Sequence, residues 1–142
     1  MRKEKPINHK KSKTILVVED SPVQAFAMIQ LLEQYGLNVL CAPDGSAGVA
    51  LAKKFYPDLI ILDIQMPEMN GLEACHLIKQ DPALKNAPII FLTAYSEPEM
   101  LHAGLGEGAI DFIPKDAFSD MVLLKTLKEL EIISDGEAEE AN

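Results

Sequence analysis

Short apolar runs punctuate the chain, and each leads to a polar or charged residue. Thr14–Val18 is β-branched and apolar and ends in Glu19-Asp20; Leu59–Leu62 ends in Asp63; Ile89–Leu92 ends in Thr93. Unbroken apolar runs of this length predict strands buried on both faces, hence parallel strands lying under helices. Leu37–Cys41 and Ile110–Ile113 mix polar with apolar positions, which predicts two further strands at the edges of the sheet. The second of these continues through Pro114 to Lys115.

Helical patterns fill the intervals. Ser21 suits an N-cap, Pro22 the first helical position and Gln24 the capping-box position. Val23, Ala27, Leu31 and Tyr35 then recur at spacing four, with Phe26 and Met28 beside them, predicting a core-facing stripe that ends at Gly36. Asp44-Gly45 opens a helix with Ala47, Leu51 and Phe55 on one face, stopped by Pro57; Asp58 begins the next strand. Asn70 and Glu73 form a capping box for a helix to about Gln80, ended by Asp81-Pro82. Ser96 and Glu99 do the same for a helix to about Leu105, weakened by Gly104, Gly106 and Gly108. The last helix spans about Ser119–Ile133, with Leu123, Leu127 and Leu130 on one stripe. Five βα units in succession predict a doubly wound parallel α/β sheet, and the positions of the purely apolar strands fit the order 2-1-3-4-5.

Composition narrows the class. The 142 residues, 48% hydrophobic and 25% charged, suit one soluble domain with a real core. No apolar stretch approaches the roughly 18 residues of a membrane span, and no apolar segment follows the charged N-terminus as in a signal peptide. Cys41 and Cys75 have no metal spacing and read as small buried thiols in a reducing cytosol. The net charge of -9 is uneven: residues 1–13 carry +5, residues 14–133 carry -10 and residues 134–142 carry -4. This divides the chain into a flexible basic arm (1–13), a folded domain (14–133) and an acidic disordered tail (134–142). An acidic body repels nucleic acid, so no direct contact with it is expected. The Gly-x-Gly-x-Gly at 104–108 precedes a strand rather than following one, so it is no nucleotide fingerprint, and His9, His76 and His102 share no motif.

In a parallel sheet all strand ends of one kind lie along one edge, and here the carboxyl ends deliver Glu19-Asp20, Asp63, Thr93 and Lys115. A lone Asp after a strand is most often a solvated loop carboxylate or a cap; this company changes its reading. Three carboxylates in one crevice repel and call for a cation, and all-oxygen ligands suit Mg²⁺. Lys115 adds a point charge suited to phosphate and Thr93 a hydroxyl. Around one Asp, these groups favour phosphoryl transfer onto its carboxylate.

Residues 14–133 resemble the receiver domain of bacterial two-component response regulators, single-domain type. The matching pieces are ILVVED at 15–20, LIILDIQMPEMNG at 59–71, FLTA at 91–94 and GAIDFIPK at 108–115. The resemblance implies a flavodoxin-like (βα)5 fold, a cytoplasmic location and a phosphoacceptor switch rather than a turnover enzyme. Asp63 would accept phosphate from a sensor histidine kinase or a histidine phosphotransfer protein. Asp20, Asp63 and the backbone carbonyl of Gln65 would ligate Mg²⁺ directly, with Glu19 acting through water. Thr93 and Lys115 would hold the phosphoryl oxygens, and Phe112 would be the switch aromatic. The face made by the fourth predicted helix, the fifth strand and the fifth helix, roughly Glu97–Ile133, would then meet a downstream protein or a second copy. Such domains usually have Pro after the Lys, commonly with a cis bond; here Asp116 makes a trans bond the expectation. Gln65 and Tyr95 occupy variable positions near the phosphoryl group, and the Tyr95 ring is expected to slow hydrolysis. Two other readings compete. A phosphorylation-independent interaction module need not keep the full set of residues, and a haloacid-dehalogenase-type phosphatase wants a second carboxylate where Gln65 stands.

Overall fold

The structure, a computed structural model, describes residues 12–94, 106, 108 and 111–134. The elements run β1 (Thr14–Val18), α1 (Pro22–Glu33), β2 (Asn38–Ala42), α2 (Gly45–Phe55), β3 (Leu59–Leu62), α3 (Gly71–Lys79), a 3₁₀ turn (Pro82–Leu84), β4 (Ile89–Thr93), β5 (Asp111–Pro114) and α4 (Ser119–Glu129). The helix expected at Ser96–Leu105, Tyr95, most of the basic arm and nearly all of the acidic tail lie outside the described residues. No helix among the described residues is long and apolar enough to cross a membrane.

All pairings are parallel and the order is β2-β1-β3-β4-β5, as the apolar pattern predicts. Every residue of β3 and β4 is buried, and β1 is buried beyond Thr14. Alternation along the strands divides the core in two. Leu16, Val18, Ile60, Leu62 and Phe91 join Ala52, Ala74 and Ile78, on the side of α2 and α3. Ile15, Val17, Ile61, Ile90 and Leu92 join Met28, Leu32, Leu123 and Leu127, on the side of α1 and α4.

The starts of α1, α2 and α3 follow their caps. Asn70 and Glu73 complete a reciprocal capping box on α3, Asp44 caps α2 through the Ala47 N–H at 2.8 Å, and Asp58 accepts the Thr14 N–H at 2.8 Å. The buried faces differ from the predicted stripes. On α1 the buried residues are Ala25, Met28 and Leu32, whereas Val23 and Phe26 are exposed; the helix is apolar nearly all round, so spacing alone admits more than one stripe. On α2 the buried face is Gly45, Gly48 and Ala52, with Phe55 exposed. A Cβ on Gly48 would meet the Val18 side chain at 2.7 Å, so the smallest residues, not the largest, face the sheet. Cys75 is buried as expected, but Cys41 is exposed, because β2 is the edge strand and is covered less completely than the inner strands. α4 ends before Ile133: Glu131 turns left-handed (φ 63°), which leaves Leu130 at the surface and returns Ile133 to the core.

Candidate functional site

Backbone pairing at the strand ends gathers the polar residues. The Glu19 N–H donates to the Ala42 carbonyl at 3.0 Å, the Asp63 N–H to Val18 at 3.1 Å and the Lys115 N–H to Thr93 at 2.8 Å. One hydrogen bond past β1, β3 and β5, with the β3–β4 pairing between them, thus brings the strand ends to a common edge. The loop after Asp63 is tight: the Gly71 N–H bonds back to the Ile64 carbonyl at 2.9 Å, and Glu68 turns left-handed (φ 68°).

Glu19, Asp20 and Asp63 each offer a carboxylate oxygen within 4.8 Å of the others. Glu19 and Asp63 are buried, Asp20 is exposed, and the Lys115 ammonium bridges the two buried ones, at 2.7 Å from Glu19 Oε1 and 3.1 Å from Asp63 Oδ2. The Gln65 N–H donates to Asp63 Oδ1 at 3.2 Å, while the Gln65 side chain faces solvent. Thr93 is 1% exposed at the end of β4. Phe112 stacks on the buried Phe91, with ring centroids 5.0 Å apart and planes at 29°. The peptide bond after Lys115 is trans.

Electrostatically the group is unbalanced: three carboxylates face one ammonium. Burial raises the Glu19 carboxyl above its ordinary value, aided by the Asp63 charge and opposed by bonds from Lys115 and Ser21. Burial alone would lower Lys115, but its bonds to Glu19 and Asp63, with their charges, hold it above its ordinary value. An all-oxygen donor set with surplus negative charge and an exposed side at Asp20 fits a hard divalent cation that keeps some of its water.

Sequence reasoning missed one member of the site. Gln24 reads as the second half of a capping box, and its N–H does bond to Ser21 Oγ at 3.3 Å. Its side chain, however, accepts from Lys115 Nζ at 2.6 Å, and the Ser21 N–H is taken instead by Glu19 Oε2 at 3.1 Å. The signal available in sequence was a polar residue one turn past Glu19-Asp20, which local capping explained equally well. A cavity of about 310 Å³ opens beside these residues, between α1 and α4, floored by Val17, Ile61 and Leu92.

A family model described as the response regulator receiver domain matches residues 15–128. Protein PilH of Pseudomonas aeruginosa is 35% identical over 113 residues, covering 80% of this chain and 93% of PilH. Several other curated relatives are longer, and the chain spans less than half of each. Among solved structures, Vibrio cholerae chemotaxis protein CheY4 superposes with a TM-score of 0.79 at 33% identity, covering 84% of this chain and 98% of that one. The receiver domain of sensor histidine kinase PA1611 from Pseudomonas aeruginosa, solved with a magnesium ion coordinated in its active-site cleft, superposes with a TM-score of 0.76 at 28% identity. It covers 84% of this chain and 97% of that one. Sequence match, strand order and the residues at the sheet edge agree: this chain belongs to the response regulator receiver domain family.

Proposed function

We propose that the chain is a phosphoacceptor switch that takes a phosphoryl group on Asp63 from a histidine of a sensor kinase or phosphotransfer protein. The observation that carries this reading is the convergence of Glu19, Asp20 and Asp63 on one point, with the Lys115 ammonium bonded to Asp63 itself. An Asp63 carboxylate oxygen attacks phosphorus, the new O–P bond forms as the donor's P–N bond breaks, and the imidazole leaves. Lys115 and the Thr93 hydroxyl receive the phosphoryl oxygens as charge moves onto them. Asp20, Asp63 and the Gln65 backbone carbonyl would hold Mg²⁺, with Glu19 reached through a water. When bound, the ion neutralises the crevice so that an anionic donor can approach.

The adduct is lost by self-catalysed hydrolysis, so the protein acts as a switch rather than by turnover. Once the phosphoryl group draws Thr93 inward, Phe112 on the neighbouring strand can shift against Phe91, and the surface around β5 and α4 changes with it. That face would meet the downstream protein or a second copy. A cytoplasmic location accords with a kinase donor. The alternative, a phosphorylation-independent interaction module, gives no account of why Lys115 is bonded to Asp63. Intact-mass measurement after incubation with acetyl phosphate and Mg²⁺ decides between them. One added phosphate is expected, absent in Asp63→Asn and after chelation; equal labelling of the Asn variant would overturn the assignment.

A further inference from the structure

The Lys115 ammonium has three hydrogens and faces three oxygens: Glu19 Oε1 at 2.7 Å, Asp63 Oδ2 at 3.1 Å and Gln24 Oε1 at 2.6 Å. An ammonium only donates, so the Gln24 atom turned towards it is the side-chain carbonyl. This third bond joins α1 to the end of β5 across 91 residues, and it takes the Gln24 side chain away from its own helix start. We propose that Gln24 is a positioning residue, holding the Lys115 ammonium over Asp63 from the α1 side; its role in phosphoryl transfer rests on the phosphoacceptor reading above.

The three acceptors differ in what becomes of them. Glu19 and Asp63 belong to the cluster that fits a divalent cation, and an oxygen of Asp63 becomes the bridging oxygen of the acyl phosphate when phosphate is added. Gln24 lies outside that cluster and stays on the ammonium while the carboxylates are drawn elsewhere. Being neutral, it orients the ammonium without adding a fourth negative charge at the mouth, which would repel an anionic donor. Lysine needs such a guide because its charge sits at the end of a flexible four-carbon stem, and a single neutral acceptor restricts that stem.

Gln24→Leu keeps similar bulk and removes the acceptor. In metal-free protein, nitrogen-detected NMR of the Lys115 ammonium is expected to show slow hydrogen exchange that becomes severalfold faster in Gln24→Leu and stays slow in Gln24→Glu. With acetyl phosphate and Mg²⁺, Gln24→Leu is expected to take up phosphate about tenfold more slowly, the scale of one lost hydrogen bond to a charged group near solvent. The same substitution in a Lys115→Met background should change the rate no further, because nothing is left to position. An equal slowing in both backgrounds, or unchanged ammonium exchange in Gln24→Leu, overturns the proposal. If the unsubstituted chain takes no phosphate at Asp63, the phosphoacceptor reading fails, and the ammonium exchange still decides whether Gln24 holds Lys115.

Discussion

Gly71 stands where a side chain has no room. A Cβ there would lie 2.3 Å from the Asp63 carbonyl oxygen and 2.9 Å from the Ile64 Cα, both backbone atoms at the start of the loop that follows β3. Neither can rotate away, so Gly71→Ala is expected to destabilise the fold by about 1–3 kcal/mol, read as a lower urea midpoint. The cysteines give a second residue-level prediction. Cys41 is exposed and Cys75 buried, so only Cys41 should alkylate in the native protein, Cys75 following on unfolding. Although solvent reaches Cys41, the protein atoms around its thiol partly desolvate it, and this, followed by the charge of Glu19, raises its pKa. A raised pKa means less thiolate at any pH below it, so Cys41 should react more slowly than an unhindered thiol near neutrality. The gap should close as the pH rises past its pKa. Mass-resolved iodoacetamide labelling across that range checks both points, and fast labelling of Cys75 in native protein would contradict the burial.

At the scale of the element, the helix ends are where local chemistry and packing meet. α4 closes with the Glu131 N–H on the Lys128 carbonyl at 3.0 Å and the Ile132 N–H on the Leu127 carbonyl at 2.9 Å, a Schellman motif. The left-handed position in that motif is usually Gly, but here it is Glu131, at φ 63°. The motif survives because it turns Ile133, only 4% exposed, back into the core beside Leu127. Burying such a side chain contributes about 1.5–3 kcal/mol, more than the roughly 1–2 kcal/mol that a left-handed residue costs. Glu131→Gly removes that strain while keeping the turn, and it should raise stability by about 0.5–1 kcal/mol after Gly's larger unfolded-state entropy is counted. Urea denaturation of the two chains measures it; a less stable Gly variant would mean that the Glu side chain holds the turn.

For the whole molecule, the parallel sheet concentrates charge as well as chemistry at one edge. Three carboxylates within 4.8 Å, offset by one ammonium, oppose folding, and a cation held among them would relieve that repulsion. A ligand that binds only the folded chain stabilises it by about 2.7 kcal/mol at a hundred times its dissociation constant. The urea midpoint should therefore keep climbing with the logarithm of the Mg²⁺ concentration above the dissociation constant. Asp20→Asn, which removes an exposed member of the cluster without touching the core, should flatten that rise. A rise of the same size and concentration dependence in the variant would place the cation elsewhere.

The apolar runs determined by themselves that the sheet is parallel and that β1, β3 and β4 lie inside it, because a strand buried on both faces has to be apolar at every position. From that followed the common edge holding Glu19, Asp20, Asp63, Thr93 and Lys115, since parallel strands all end on the same side. Rotation of the helices was another matter. α1 offers apolar residues on several faces, and only contact with the sheet decides that Ala25, Met28 and Leu32 go in while Val23 and Phe26 stay out. α2 turns Gly48 and Ala52 inward because backbone closeness to Val18, which no periodicity encodes, outweighs the burial that Phe55 would gain. The side chain of Gln24 shows the same limit. Its own helix start offers it a partner within three residues, and a partner 91 residues away takes it instead, because only the folded chain brings the Lys115 charge within reach.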